Sequence, residues 1–194
     1  MNTIELVPQR IISAAQILYE LNRLAYHNWL HVLNVCFELD NWSETTGAKI
    51  GLDAALAGVG HDIVPYNEIQ SASLFANILV ENEINGAIVD QVSNLIAMTD
   101  EAQPPDNDNM IGRILRDADR AILGKDPGTY YWYAQAIRKE WPHATDEAFI
   151  AGRIKFLERM LGRTPIYRTD HFRDLYQAQA EKNMQDELAT LQRP

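Results

Sequence analysis

Apolar residues return every three or four positions through most of the chain, the period of a helix with one face turned inward. Pro8 stands at a first-turn position, and Ile11, Ala14, Leu18, Leu21 and Ala25 follow at helical spacing. A second run, from about Asn28 to Trp42, carries Leu30, Leu33, Cys36, Phe37 and Asp40. The polar stretch Ser43 to Gly47 separates it from a third run, Ile50 to about Val59, which ends at Gly60 just before His61-Asp62. Asn67-Glu68 is well placed to open a fourth helix with Ile69, Ala72, Leu74, Phe75 and Ile78, because a side-chain oxygen can cap it and an acid suits its first turn. Another run reads Ile88, Val92, Leu95, Ile96 up to Thr99, and Gln103-Pro104-Pro105-Asp106-Asn107-Asp108 reads as a loop. Ile111, Ile114, Leu115, Ala118 and Ile122 form the next helix, stopping at Gly124. Asp126-Pro127 (cap plus first-turn proline) starts one that ends before Pro142, and Thr145-Asp146-Glu147 opens one running through Leu161 and Gly162. A last helix follows Asp170, with Phe172, Leu175, Ala178 and Leu188.

No sustained strand alternation competes with this pattern, and there is no internal repeat, low-complexity segment or domain linker. The expectation is all-α: a single helical domain of roughly eight helices spanning residues 1–194, a length that suits one core better than two. Hydrophobic residues make up 46% and charged ones 23%, the balance of a soluble globular protein. No basic region followed by an apolar block opens the chain, and no apolar run is long enough to cross a bilayer. The single cysteine, Cys36, excludes an intrachain disulfide and sits in an apolar stretch where a core role is expected. Together these predict a cytoplasmic protein with no membrane partner. The net charge of −10, without a Lys/Arg cluster, argues against a nucleic acid polymer as partner. A small anionic substrate stays compatible, because a metal cation and a few arginines can reverse the potential locally. Oligomeric state is not written in these features.

Imidazoles and carboxylates stand at three separated places, each beside an apolar helical run: Tyr26-His27-Asn28-Trp29-Leu30-His31-Val32, His61-Asp62, and Asp117-Ala118-Asp119-Arg120. Such groups can converge on one divalent cation, which points to metal-assisted hydrolysis. His27 and His31 share a face if the helix already includes residue 27. The Gly58-Val59-Gly60 approach lets the backbone bring His61 and Asp62 inward. Asp117 and Asp119 flank the apolar face at Ala118, each turned by roughly 100° to opposite sides, so only one readily enters a given site. Helical geometry does not choose between them.

The order of these elements resembles the HD superfamily of metal-dependent phosphohydrolases: His31-x-x-x-Val35, then His61-Asp62 after an apolar helix, then Ala118-Asp119-Arg120 in a later helix. More narrowly, the chain is similar to the small bacterial HD proteins described as predicted metal-dependent phosphohydrolases. That likeness is carried by Tyr26-His27-Asn28, Asn67-Glu68 with Ser71-Ala72, Asp117-Ala118-Asp119 with Ile122-Leu123-Gly124, Ala136 to Glu140, Gly152-Arg153 and Ile166 to Thr169.

The resemblance implies that His31, His61, Asp62 and Asp119 hold the metal, with Asp62 also catalytic. Asp117 is then a supporting residue or alternative ligand, and His27 and Arg120 contact substrate or brace the ligands. Glu68 is a candidate to position or deprotonate water, or to protonate the leaving oxygen. It implies one divalent ion (Mn, Co, Ni, Fe, Zn or Mg), since the chain has five histidines in all and none near Ala97 to Asp100, where related sequences often supply one. The implied activity is hydrolysis of a small phosphorylated metabolite, a nucleotide or related phosphate ester, by metal-activated water. The alternatives are a non-catalytic metal- or nucleotide-binding domain of the same shape, and a helical scaffold with no small-molecule role. Arg153 and Arg168 are further candidates for phosphate contact, and Tyr130-Tyr131-Trp132-Tyr133 reads first as core plus surface.

Overall fold

The computed structural model describes residues 2–100, 109–163 and 165–193. Among these residues there are nine α-helices and no strand. They are α1 (Gln9–Asn22), α2 (Trp29–Thr46), α3 (Leu52–Gly60), α4 (Glu68–Glu81), α5 (Gly86–Ala97), α6 (Met110–Arg120), α7 (Pro127–Lys139), α8 (Asp146–Leu161) and α9 (Asp170–Leu191), with 3-10 turns at Thr3–Leu6 and Ala121–Gly124. The all-α class is as the periodicity predicts. The loop expected at 103–108 lies outside the described residues.

Element starts follow local capping chemistry. Asn67 Oδ1 accepts from Gln70 N at 3.0 Å to open α4, Asp126 Oδ1 accepts from Gly128 N and Thr129 N at 3.0 and 3.1 Å to open α7, and Thr145 Oγ1 accepts from Ala148 N at 3.2 Å to open α8. Ends and faces differ more from expectation. Helix α1 stops at Asn22 rather than running to Ala25, because Arg23 turns left-handed with φ 50°. Its buried face is Ile11, Ala15 and Tyr19, one position away from the predicted Ala14 and Leu18, while Leu21 is 71% exposed. Helix α2 continues through Ser43 to Thr46, where Thr46 Oγ1 donates to Trp42 O at 2.8 Å and Gly47 closes the helix with φ 71°. It buries His31, Val32, Val35, Cys36, Leu39 and Trp42 and leaves Leu30 and Phe37 outside.

The described residues group into two compact units, Met1–Asp119 and Arg120–Pro194. The first is organised around α3, whose residues from Ala54 to Gly60 are all buried. A helix apolar on every side has no solvent face and must be surrounded. Helix α3 accordingly packs against α1, α2, α4 and α5. In the second unit α9 packs on α8 and on the 3-10 turn Ala121–Gly124. Asn183 Nδ2 there donates to Leu123 O and Lys125 O at 2.9 and 2.8 Å.

No helix among the described residues is long and apolar enough to cross a membrane.

Candidate metal centre

Three helices of the first unit bring the predicted donors together. Asn28 Oδ1 accepts from Leu30 N at 2.9 Å and starts α2, so His31 falls in its first turn, on the buried side. Helix α3 delivers His61 and Asp62 at its C-terminal end, which carries partial negative charge and favours a nearby cation. Close approach makes Gly60 necessary: a Cβ there would stand 2.3 Å from Cδ1 of the buried Phe75 ring. Helix α6 supplies Asp119 near its end.

The four side chains offer one donor atom each, all within 4.8 Å of one another. His31 Nε2 stands 3.0 Å from His61 Nε2, 3.1 Å from Asp62 Oδ2 and 3.2 Å from Asp119 Oδ1. His61 Nε2 lies 3.4 Å from Asp62 Oδ2 and 3.6 Å from Asp119 Oδ1. Bonds of about 2.1 Å to a common ion separate neighbouring donors by roughly 3.0–3.4 Å, so these edges match a coordination sphere. His61 Nδ1 lies 2.9 Å from Gly58 O, an acceptor, so the neutral ring carries its proton on Nδ1 and aims an Nε2 lone pair at the cluster. The group could hold a metal ion, and a set of two nitrogens and two oxygens suits a divalent transition ion better than calcium.

The electrostatics state the same demand for positive charge. Burial opposes the charged form of His31, yet the Asp119 and Asp62 carboxylates outweigh it and raise its pKa. Burial likewise opposes a charged His61, but Asp62 and Asp119 push it up to about 9. Burial resists ionisation of Asp62, while His61, His27 and His31 hold it down to about 2. Asp119 is held well below the usual carboxylate range by His31 and His61 against the same burial.

The remaining predicted residues divide. His27 lies outside α2, which begins at Trp29, so the shared helical face considered for His27 and His31 does not exist. It nevertheless reaches the cluster, with Nε2 4.0 Å from Asp62 Oδ2 and its ring centroid 5.8 Å from that of His31. Glu68 opens α4 half-buried; burial, then the negative charges of Asp100, Asp62 and Asp119, raise its pKa. Asp117 is fully buried and outside the four-donor group, about 200° round the helix from Asp119. Arg120 is buried at the end of α6 in the second unit, where its carbonyl accepts from Tyr167 Oη at 3.0 Å. Arg153 is committed elsewhere: it grips both oxygens of Glu187, at 2.8 and 3.0 Å, and Glu187 also accepts from Tyr130 Oη. Arg168 is half-buried in the second unit, Tyr130 and Tyr133 are buried, and Tyr131 and Trp132 are exposed. Cys36 is buried in the core, and burial pushes its thiol up to about 12, which leaves it inert.

Two residues that sequence reasoning gave no role position the His-Asp pair. Tyr19 Oη donates to Val59 O at 3.0 Å and accepts from Asp62 N at 3.3 Å. Burial, with the Asp62 charge, raises its pKa well above the ordinary value and keeps it a neutral hydroxyl. Asn22 Nδ2 donates to Ile63 O at 2.8 Å. The available signal was a tyrosine in the buried 11-15-19 register, where its hydroxyl must find a partner.

Comparison with known proteins identifies no relative: no family model, curated protein or solved structure matches the chain.

Proposed function

We propose that the chain is a metal-dependent phosphohydrolase of the HD type, acting on a small phosphorylated metabolite such as a nucleotide or related phosphate ester. The observation that carries the reading is the convergence of His31, His61, Asp62 and Asp119, with donor atoms spaced like the edges of one coordination sphere. These four would hold a single divalent ion. Such an ion supplies acidified water near neutral pH and draws charge from a phosphoryl oxygen.

One side of the group is open. The side chains of His31 and His61 are 2% and 1% exposed, but that of Asp119 is 26% exposed. A purely structural ion is closed in by its ligands, whereas a catalytic one keeps a face for substrate. That asymmetry favours a site that admits a ligand over a closed structural ion. His27 borders the cluster at Asp62, and Glu68 faces its negative field with a raised pKa, the property expected of a group that exchanges a proton.

The test is a screen of nucleotides and simple phosphate esters against metal-reconstituted protein. Turnover should require the divalent ion, stop with a chelator and vanish in His61→Ala. Fully metallated protein that hydrolyses nothing in a broad screen would leave a metal-binding domain instead.

A further inference from the structure

The segment joining α3 to α4 is pinned along its length. Ser71 Oγ accepts from Val64 N at 2.9 Å and donates to Val64 O at 3.1 Å, and Asn67 N donates to the same carbonyl at 3.1 Å. Asn22 Nδ2 holds Ile63 O from the other side. On this fixed segment Tyr66 adopts φ 60°, a left-handed conformation disfavoured for any residue with a Cβ and more so for a bulky one. Burial does not account for it, because Tyr66 stays 48% exposed. What the conformation achieves is a contact: the Tyr66 ring meets the His27 ring at 4.9 Å between centroids and 70° between planes. Tyr26 meets the same imidazole at 4.9 Å and 84°. Held by both, His27 Nε2 stands 4.0 Å from Asp62 Oδ2.

We propose that Tyr66 is a positioning residue, holding His27 at the rim of the metal centre so that its imidazole hydrogen-bonds an oxygen of a phosphoryl ligand bound there. This role rests on the metal reading above. Disfavoured backbone persists where the surrounding structure over-determines it, and such residues gather at ligand clamps. The contact is ring against ring at a steep angle, so the aromatic body of Tyr66 is what meets the imidazole. About half of the residue remains open to solvent.

The experiment titrates inorganic phosphate into the Mn²⁺-loaded full chain by calorimetry, beside Mn²⁺ alone and the thermal midpoint. His27→Ala and Tyr66→Asn should each weaken phosphate binding by about tenfold, the scale of one lost hydrogen bond to a charged group, with Mn²⁺ affinity held to within about twofold. Tyr66→Phe should restore phosphate affinity toward wild type. The double variant His27→Ala/Tyr66→Asn should bind no more weakly than His27→Ala, because Tyr66 acts through His27. Asparagine tolerates a left-handed backbone, so the midpoint of Tyr66→Asn should stay level or rise while binding falls. A merely structural residue would lose both together, and that pattern overturns the proposal. So does wild-type phosphate affinity in Tyr66→Asn, or losses that multiply in the double variant. If wild type takes up no Mn²⁺, the metal reading falls and takes this role with it. If it takes up Mn²⁺ but no phosphate, this role alone falls.

Discussion

Tyr19 and Asp62, 43 residues apart, are joined beside the His-Asp cluster: the Tyr19 hydroxyl accepts from Asp62 N at 3.3 Å and donates to Val59 O at 3.0 Å. Val59 is in the last turn of α3, where carbonyls run out of intrahelical partners, and the phenol takes over that duty. Tyr19→Phe leaves a buried carbonyl and a buried amide short of a partner. It should cost about 1–3 kcal/mol of stability, read from urea unfolding of the metal-free protein. Because the same hydroxyl seats Asp62, metal affinity should weaken by about tenfold or more. Unchanged unfolding and unchanged affinity together would remove Tyr19 from the site's support.

Gly58 and Gly60 make a paired test of the approach to His61. A Cβ at Gly60 would stand 2.3 Å from Phe75 Cδ1, whereas one at Gly58 would meet Leu39 Cδ1 at an ordinary 3.5 Å. Gly60→Ala should therefore destabilise by about 1–3 kcal/mol through overpacking. Gly58→Ala should be neutral or stabilising by up to about 1 kcal/mol, since alanine is the better helix former. Equal effects at the two positions would mean that Phe75 yields freely.

What was legible in the sequence was mostly local. Asn67, Asp126 and Thr145 announce helix starts because a cap is a contact between near neighbours in the chain. The end of α2 was misplaced for the converse reason. Ser43 to Gly47 read as a polar break, yet Ser43 Oγ donates to Ala48 O and Thr46 Oγ1 to Trp42 O, so these side chains finish the helix rather than stop it. The face of α1 slipped by one position because Leu18 and Leu21 are as apolar as any core residue, and only packing leaves Leu18 half-buried and Leu21 outside. In the site, the four donors were legible through motif order, although nothing in the spacing alone joins α2, α3 and α6. Tyr66 was not legible, since a left-handed tyrosine has no sequence signature.

Asp119 and Asp117 should separate cleanly on substitution. Asp119 Oδ1 faces His31 Nε2 at 3.2 Å, while Asp117 is fully buried outside the group. Asp119→Ala should abolish stoichiometric Mn²⁺ uptake. Asp117→Ala should lower the unfolding midpoint, as expected for a buried carboxylate removed from its surroundings, with metal still bound. The reverse pattern, measured by metal analysis and thermal unfolding, would make Asp117 the ligand in place of Asp119.

Protons and a divalent ion would compete for the cluster. The His61 pKa moves from 6.5 to about 9 in the metal-free fold, and that of His31 is also raised, so neutral solution leaves protons for an ion to displace. Mn²⁺ affinity should climb with pH and level off near 9, with proton release at pH 7 visible as buffer-dependent heats. The metal-free protein should show the opposite trend in stability. The His61 contribution is fully present below 6.5 and is lost as pH rises through 9. The Asp62 contribution is present above 3.8 and is lost as pH falls through 2. A metal affinity flat from neutral pH to 9 would show that the imidazoles are not ligands.

Glu68 provides the sharpest test of chemistry as distinct from binding. It opens α4, where the helix dipole favours a carboxylate, yet burial and the charges of Asp100, Asp62 and Asp119 raise its pKa. A divalent ion bound by Asp62 and Asp119 would neutralise part of that field, so metal loading should lower the Glu68 pKa, observable by carboxyl-selective NMR titration. For an ester identified in the screen, Glu68→Gln should reduce kcat by about 10²-fold or more with little change in KM, because a proton-transfer group acts mainly in the transition state. The amide keeps the shape and can still donate a hydrogen bond, but it cannot exchange the proton. Asp119→Ala in the same assay should remove activity by removing the ion, which separates the two roles. If Glu68→Gln turns over at the wild-type rate, the residue is a helix-opening carboxylate, and its raised pKa reflects only its burial beside three other acids.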